Sequence, residues 1–171
     1  MTRDATDVFT EAATDYCRWI EDDAGGSTDC VRRSLARLYA AAWDLPDVEP
    51  ADVELPDISH EAWSRVFGRL GRRLPFGLYW TLTQPVAADL AGPDEPTCGD
   101  LADDLADIWR DLKPGLDAWP DADEDARRAI VWEWRLSFRT HWGRHAADAM
   151  AVLGQESADV SSSDRQSEEP A

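Results

Sequence analysis

The sequence predicts an all-α fold, a compact single-domain bundle of about five to six helices over residues 1–154, followed by a disordered tail at 155–171. Three observations carry that expectation. Apolar residues recur at steps of three and four through every long segment, the period of a helix face. Glycine and proline clusters punctuate those segments, and no run alternates apolar and polar residues as a half-buried strand does. After Gly154 the acidic, serine-rich stretch QESADVSSSDRQSEEPA has no apolar periodicity with which to pack.

From about Asp4 to Asp23, Val8, Phe9, Ala12, Ala13, Tyr16, Trp19 and Ile20 form one stripe, and Gly25-Gly26 stop it. Ser27, Thr28 or Asp29 caps a second helix whose buried stripe is Val31, Leu35, Leu38, Tyr39, Ala42 and Trp43, with Pro46 as terminator. The acidic, proline-bearing stretch Asp47 to Asp57 reads as a solvated loop. Ser59 caps a third helix that faces inward with Trp63, Val66, Phe67 and Leu70. Its outer side carries Arg65, Arg69, Arg72 and Arg73, expected to pair with neighbouring acids, a small anion site being the alternative.

Pro75 ends that helix, and FGLYWTLTQP is too short for its period to separate a helical turn from an extended segment. Ala91 to Cys98 reads as a loop. Asp100 caps a fourth helix with an apolar arc of Leu101, Leu105, Ile108, Trp109, Leu112 and Leu116, while Asp100, Asp104, Asp107 and Asp111 form a separate acidic line. Lys113-Pro114-Gly115 is expected to kink or interrupt it. Trp119-Pro120 turns the chain into a last helix that Asp121, Asp123, Glu124 and Asp125 help to start, with Val131, Trp134, Phe138, Trp142, Ala149 and Leu153 as its core face.

Composition narrows the function classes. The 171 residues carry a net charge of -18 from 35 acidic and 17 basic groups, Lys113 being the single lysine. Such a surface repels polyphosphates, which argues against nucleic acid and anionic membranes as partners. The acid is spread along the chain, so a host with high internal salt explains it better than a field aimed at one basic partner. Nine tryptophans predict a Trp-rich core, each worth up to about 4–6 kcal/mol when fully buried. Cys17, Cys30 and Cys98 lack metal-finger spacing and suit a reducing compartment, with Cys17 and Cys30 expected to be small buried residues. The polar start MTRDATDVFTEAATDY and the lack of a membrane-length apolar run place the protein in the cytoplasm.

Polar chemistry concentrates on the last two long helices. His141 and His145 are four residues apart, the spacing that lets two imidazoles reach one ion. Glu133 and Asp148 share their line, and Asp103, Asp104 and Asp107 offer oxygen ligands from the fourth helix. A site of His141, His145, Glu133 and Asp107 would suit zinc, manganese or iron. The spacing alone is weak, since no glutamate follows the first histidine as in a zinc protease. The competing expectation is a half-buried ion-pair network in which Arg135 and Arg139 face Asp104 and Asp107.

The blocks ISHEAW (Ile58 to Trp63), GDLADDLADIWRDLKPGL (Gly99 to Leu116) and WEWRLSFRTHWGRHAADAM (Trp132 to Met150) resemble the bacterial family catalogued as domain of unknown function 5063, over about residues 8 to 153. The family's pattern W-E-W-R-x-x-F-x-x-H-W-G-x-H is matched by Trp132, Glu133, Trp134, Arg135, Phe138, His141, Trp142, Gly143 and His145; its D-L-A-D-I-Y-R-D-L-K block has Trp109 in the tyrosine place. The resemblance implies an α-helical cytoplasmic protein and names no activity, cofactor or partner. On sequence grounds the favoured function is a non-enzymatic interaction or regulatory module that meets a protein partner through its second and third helices. The alternative is a metal-binding protein or metal-dependent enzyme with a His/Asp/Glu site between the last two long helices.

Overall fold

Helix α4 (Leu101–Ala118) is the axis of the molecule, because its apolar residues leave almost no exposed side: Leu101, Ala102, Leu105, Ala106, Ile108, Trp109, Leu112 and Gly115 are all buried. The computed structural model describes residues 3–23, 27–75, 77–82 and 95–166, with side chains through Gln155. Around α4 pack α1 (Ala5–Glu21), α3 (His60–Arg73), α5 (Glu124–Ser137) and α6 (Gly143–Gln166), while α2 (Thr28–Trp43) lies against α1 and α6. A π turn, Phe138–Trp142, joins α5 to α6, and a 3-10 turn, Trp119–Asp121, leads into α5.

The helix starts follow the sequence. Asp4, Ser59, Asp100 and Asp123 each accept a backbone N–H of the first turn that would otherwise lack a partner. Trp134, Trp142, Tyr16 and Phe9 fill the centre, with Phe9 5.0 Å from Trp134 and 6.4 Å from Trp142 between ring centroids. Two of these rings find carbonyls of α4, the Tyr16 hydroxyl donating to Leu105 O at 2.7 Å and Trp134 Nε1 to Leu112 O at 3.2 Å, whereas Trp142 Nε1 is buried without a hydrogen-bond partner among the described residues. Both bonds let large rings enter the core while satisfying their polar ends.

Several expectations change. The segment after Pro75 is extended: β1 (Leu78–Thr81) pairs antiparallel with β2 (Thr97–Asp100), Tyr79 opposite Gly99. The sequence offered no strand period because each strand is four residues long. Of the expected glycine stop and the loop at Ala91 to Cys98, Gly25, Gly26 and residues 91–94 lie outside the described residues. Pro114 does not interrupt α4, which continues for one more turn to Ala118, with only the bond that residue 114 would donate to the Arg110 carbonyl missing. Trp43, expected in the core, is 64% exposed and meets Phe138 edge-on, and Cys30 is exposed while Cys17 is buried. The backbone of α6 passes the expected boundary at Gly154 and runs to Gln166; among the residues whose side chains are described, Leu153 is the last one buried.

The arginines of α3 are occupied at the end of α1. Arg73 donates to the carbonyls of Trp19 (3.1 Å) and Asp22 (2.7 Å) and lies over the Trp19 ring; Arg69 donates to Glu21 O and Asp23 Oδ1, both at 3.1 Å. Cations there complement the negative end of the α1 dipole. The surface expected to meet a partner is thus partly consumed in joining α1 to α3.

Candidate metal centre

Residues three apart on α4 and residues four apart across the π turn bring two carboxylates and two imidazoles face to face. Asp104 and Asp107 are buried, at 5% and 9% exposure, beside the half-buried His141 and His145. Each histidine is held at one nitrogen. His145 Nδ1 lies 2.6 Å from Asp104 Oδ1, and His141 Nδ1 lies 2.7 Å from Asp111 Oδ2. With the proton on Nδ1 donated to its carboxylate, each ring is left with its lone pair on Nε2.

Both Nε2 atoms face one oxygen. His141 Nε2 is 3.7 Å and His145 Nε2 3.9 Å from Asp107 Oδ2. The other oxygen of Asp107 is already engaged, accepting a hydrogen bond from Trp63 Nε1 at 2.8 Å and forming an ion pair with Arg110 at 3.2 Å. Asp107, His141 and His145 therefore offer three ligand atoms within 4.8 Å of one another. The rings of the two histidines are 4.8 Å apart at 72°, a T-shaped pair that aims both at the same point.

A second layer fixes the first. The Tyr79 hydroxyl, carried in by β1, donates to Asp104 Oδ2 at 2.5 Å, so this carboxylate is held by Tyr79 on one oxygen and by His145 on the other. Gly99 makes room: a Cβ there would fall 2.4 Å from the Tyr79 ring. Trp63 is stacked between His60 and Phe67, which steadies the indole that holds Asp107. The charge balance is strained toward the negative. Burial, with Asp107 and Asp104 nearby, raises the Asp103 carboxyl above its usual range. The hydrogen bond that His145 donates to Asp104 raises its imidazole despite burial, and burial followed by the bond to Asp104 raises the Tyr79 phenol.

The expected site residues separate into two groups. Asp104, Asp107, His141 and His145 converge, and Asp103 lies half-buried beside them. Glu133 does not join them: it is exposed, and it lies two helical turns before His141, about 12 Å along the axis. Asp148 pairs with Arg144 at 3.2 Å instead. Arg135 pairs with Asp47 of the loop before α3, and Arg139 is exposed, so neither faces the acidic line as expected. Arg110 and the two histidines take that place. Sequence reasoning missed Tyr79, Trp63, Arg110 and the role of Asp111; only Asp111 left a signal, as the last member of the acidic line.

In comparisons with known proteins, no curated protein matches the chain. Among solved structures, the crystal structure of protein BF1032 from Bacteroides fragilis is similar in fold, with a TM-score of 0.69 at 18% identity over 88% of this chain and 90% of that one. A family model described as "Domain of unknown function (DUF5063)" matches residues 1–158, taking in all the residues of the cluster just described, and the chain belongs to that family.

Proposed function

We propose that the protein binds one divalent transition-metal ion through Nε2 of His141, Nε2 of His145 and Oδ2 of Asp107, with zinc, manganese and iron as the fitting ions. The observation that carries this reading is the pair of gaps, 3.7 and 3.9 Å, between the two Nε2 atoms and one carboxylate oxygen. They are too long for hydrogen bonds, which a purely structural network would close to about 2.7–3.2 Å. Two ligand atoms each about 2.1 Å from a shared ion at a tetrahedral angle stand about 3.4 Å apart, so both gaps come to ion-bridging length on closing by a few tenths of an ångström.

Three further features support it. Asp104 and Asp111 behind the histidines follow the carboxylate–histidine–metal arrangement that orients ligands and raises their basicity. Asp103, Asp104, Asp107 and Asp111 put four carboxylates around the cluster, a charge that a divalent ion offsets. Three protein ligands leave coordination positions for water or substrate, the pattern of catalytic rather than structural sites. His141, with 38% of its side chain exposed, gives the ion a route in. Hydrolytic or redox chemistry on a small substrate is the corresponding reaction class.

The test is elemental mass spectrometry of tagless protein purified without chelators. About one equivalent of metal is expected, lost in His141→Ala and His145→Ala with helix content retained. Less than about a tenth of an equivalent, with no rise in melting temperature on adding zinc, manganese or iron, would end this reading. A second reading, a protein-interaction module, is supported by Leu78 and Trp80, 70% and 75% exposed on one face of β1; its test is whether Trp80→Ser removes a cross-linked partner. A cytoplasmic location is supported by three free cysteines. Among the described residues no helix is long and apolar enough to cross a membrane.

A further inference from the structure

Beside the histidine cluster a cavity of about 430 Å³ opens between the loop Val53–Asp57 and the facing sides of α4 and α5. Its floor is apolar: Ile130 and Trp134 are buried there, with Leu55 and Pro114 alongside. Its volume is in the ordinary range for small-molecule sites. Two wall residues reach the cluster directly, since Arg110 contacts Asp107 and Asp111 holds His141. The cavity thus stands one side chain away from two of the three proposed ligands, Asp107 and His141.

The charges of the wall select an occupant. Arg110 and Asp111 are engaged by the cluster, which leaves Glu54, Asp57 and Glu133 without a basic partner among the described residues. We propose that the cavity is a ligand-binding chamber for a small organic cation, an amine or guanidine on an apolar body, with the body against Leu55 and Pro114 and the charged end at Glu133. An anion is disfavoured, because the one guanidinium in the wall is already paired with Asp107. Its role as the substrate chamber of the metal centre rests on the metal reading above; the binding of a cation does not.

The experiment titrates n-hexylamine, n-hexanol and hexanoate into chelator-treated full-length protein at about 0.15 M salt, followed by ligand-observed NMR. Hexylamine binds saturably and about tenfold or more tighter than hexanol, and hexanoate does not bind. Because a net charge of -18 attracts any cation weakly, two variants locate the effect. Glu133→Gln weakens hexylamine about fivefold or more, and Glu49→Gln, outside the cavity, leaves it unchanged. Hexylamine binding no tighter than hexanol, or equally sensitive to both variants, overturns the proposal. Repeating the titration after zinc loading keeps the two readings separate: amine binding without metal uptake removes the metal centre alone, and metal uptake without amine binding removes the chamber alone.

Discussion

His145 Nδ1 lies 2.6 Å from Asp104 Oδ1, and the opposite oxygen of that carboxylate accepts the Tyr79 hydroxyl at 2.5 Å. A strand residue thus reaches the imidazole of another element through one buried aspartate, and the ring has one orientation open to it. The orientation matters because only Nε2 faces Asp107.

Asp104→Asn is expected to lower metal affinity about 10- to 100-fold while leaving all three proposed ligands in place. Tyr79→Phe removes only the outer bond and lowers affinity by less. Competition with a chromophoric chelator measures both, and a Co(II)-substituted spectrum altered in the aspartate variant separates a change at the ion from a loss of folding. Unchanged affinity in Asp104→Asn would mean that the carboxylate does not orient the ring.

Gly143→Ala should damage both the fold and the centre. A Cβ at Gly143 would stand 2.3 Å from the Phe138 carbonyl oxygen and 3.0 Å from its ring, so the π turn must deform. A cost of about 1–3 kcal/mol in urea denaturation is expected, together with weaker metal binding, because His141 and His145 flank this residue.

Arg73 and Arg72 are neighbours with different outcomes. Arg73→Ala loses two bonds to α1 carbonyls and the contact with the Trp19 ring, and should cost about 1–3 kcal/mol. Arg72 is exposed, and Arg72→Ala should stay within about 0.5 kcal/mol of the parent. Chemical denaturation of the two variants side by side checks the contrast.

The three cysteines should react in two classes. Burial pushes the Cys17 thiol well above its usual range, so it stays protonated and covered, whereas Cys30 and Cys98 are exposed. Native protein should titrate about two thiols quickly with a disulfide reagent, and the third only on adding denaturant. Three fast thiols would contradict the packing of α1 on α4.

The sequence made the helices legible because periodicity and caps are local. Val131, Trp134, Phe138 and Trp142 are buried as their spacing requires, and Ser59 and Asp100 cap where they should. The pair His141 and His145 and the line of Asp104 and Asp107 were legible for the same reason. What could not be read was any partner brought from afar: Tyr79 is 25 residues from Asp104, Trp63 is 44 from Asp107, and Asp47 is 88 from Arg135. Glu133 was misplaced by a different cause: a shared helical line does not bring together residues two turns apart. Trp43 shows the limit of the stripe itself, since its position at the end of α2 leaves it beyond the neighbouring helices.

The π turn between α5 and α6 takes up one residue more than a plain α-helix would hold. An α-helix turns about 100° per residue and a π turn about 80°, so over Phe138–Trp142 the lag is about 90°, close to the rotation of a single residue. The face formed by Trp142, Ala146, Ala149 and Leu153 therefore points the same way as that of Val131 and Trp134 in spite of the extra residue. Excising one residue from these five should give an uninterrupted rod that keeps both core faces, whereas a further insertion would turn them apart.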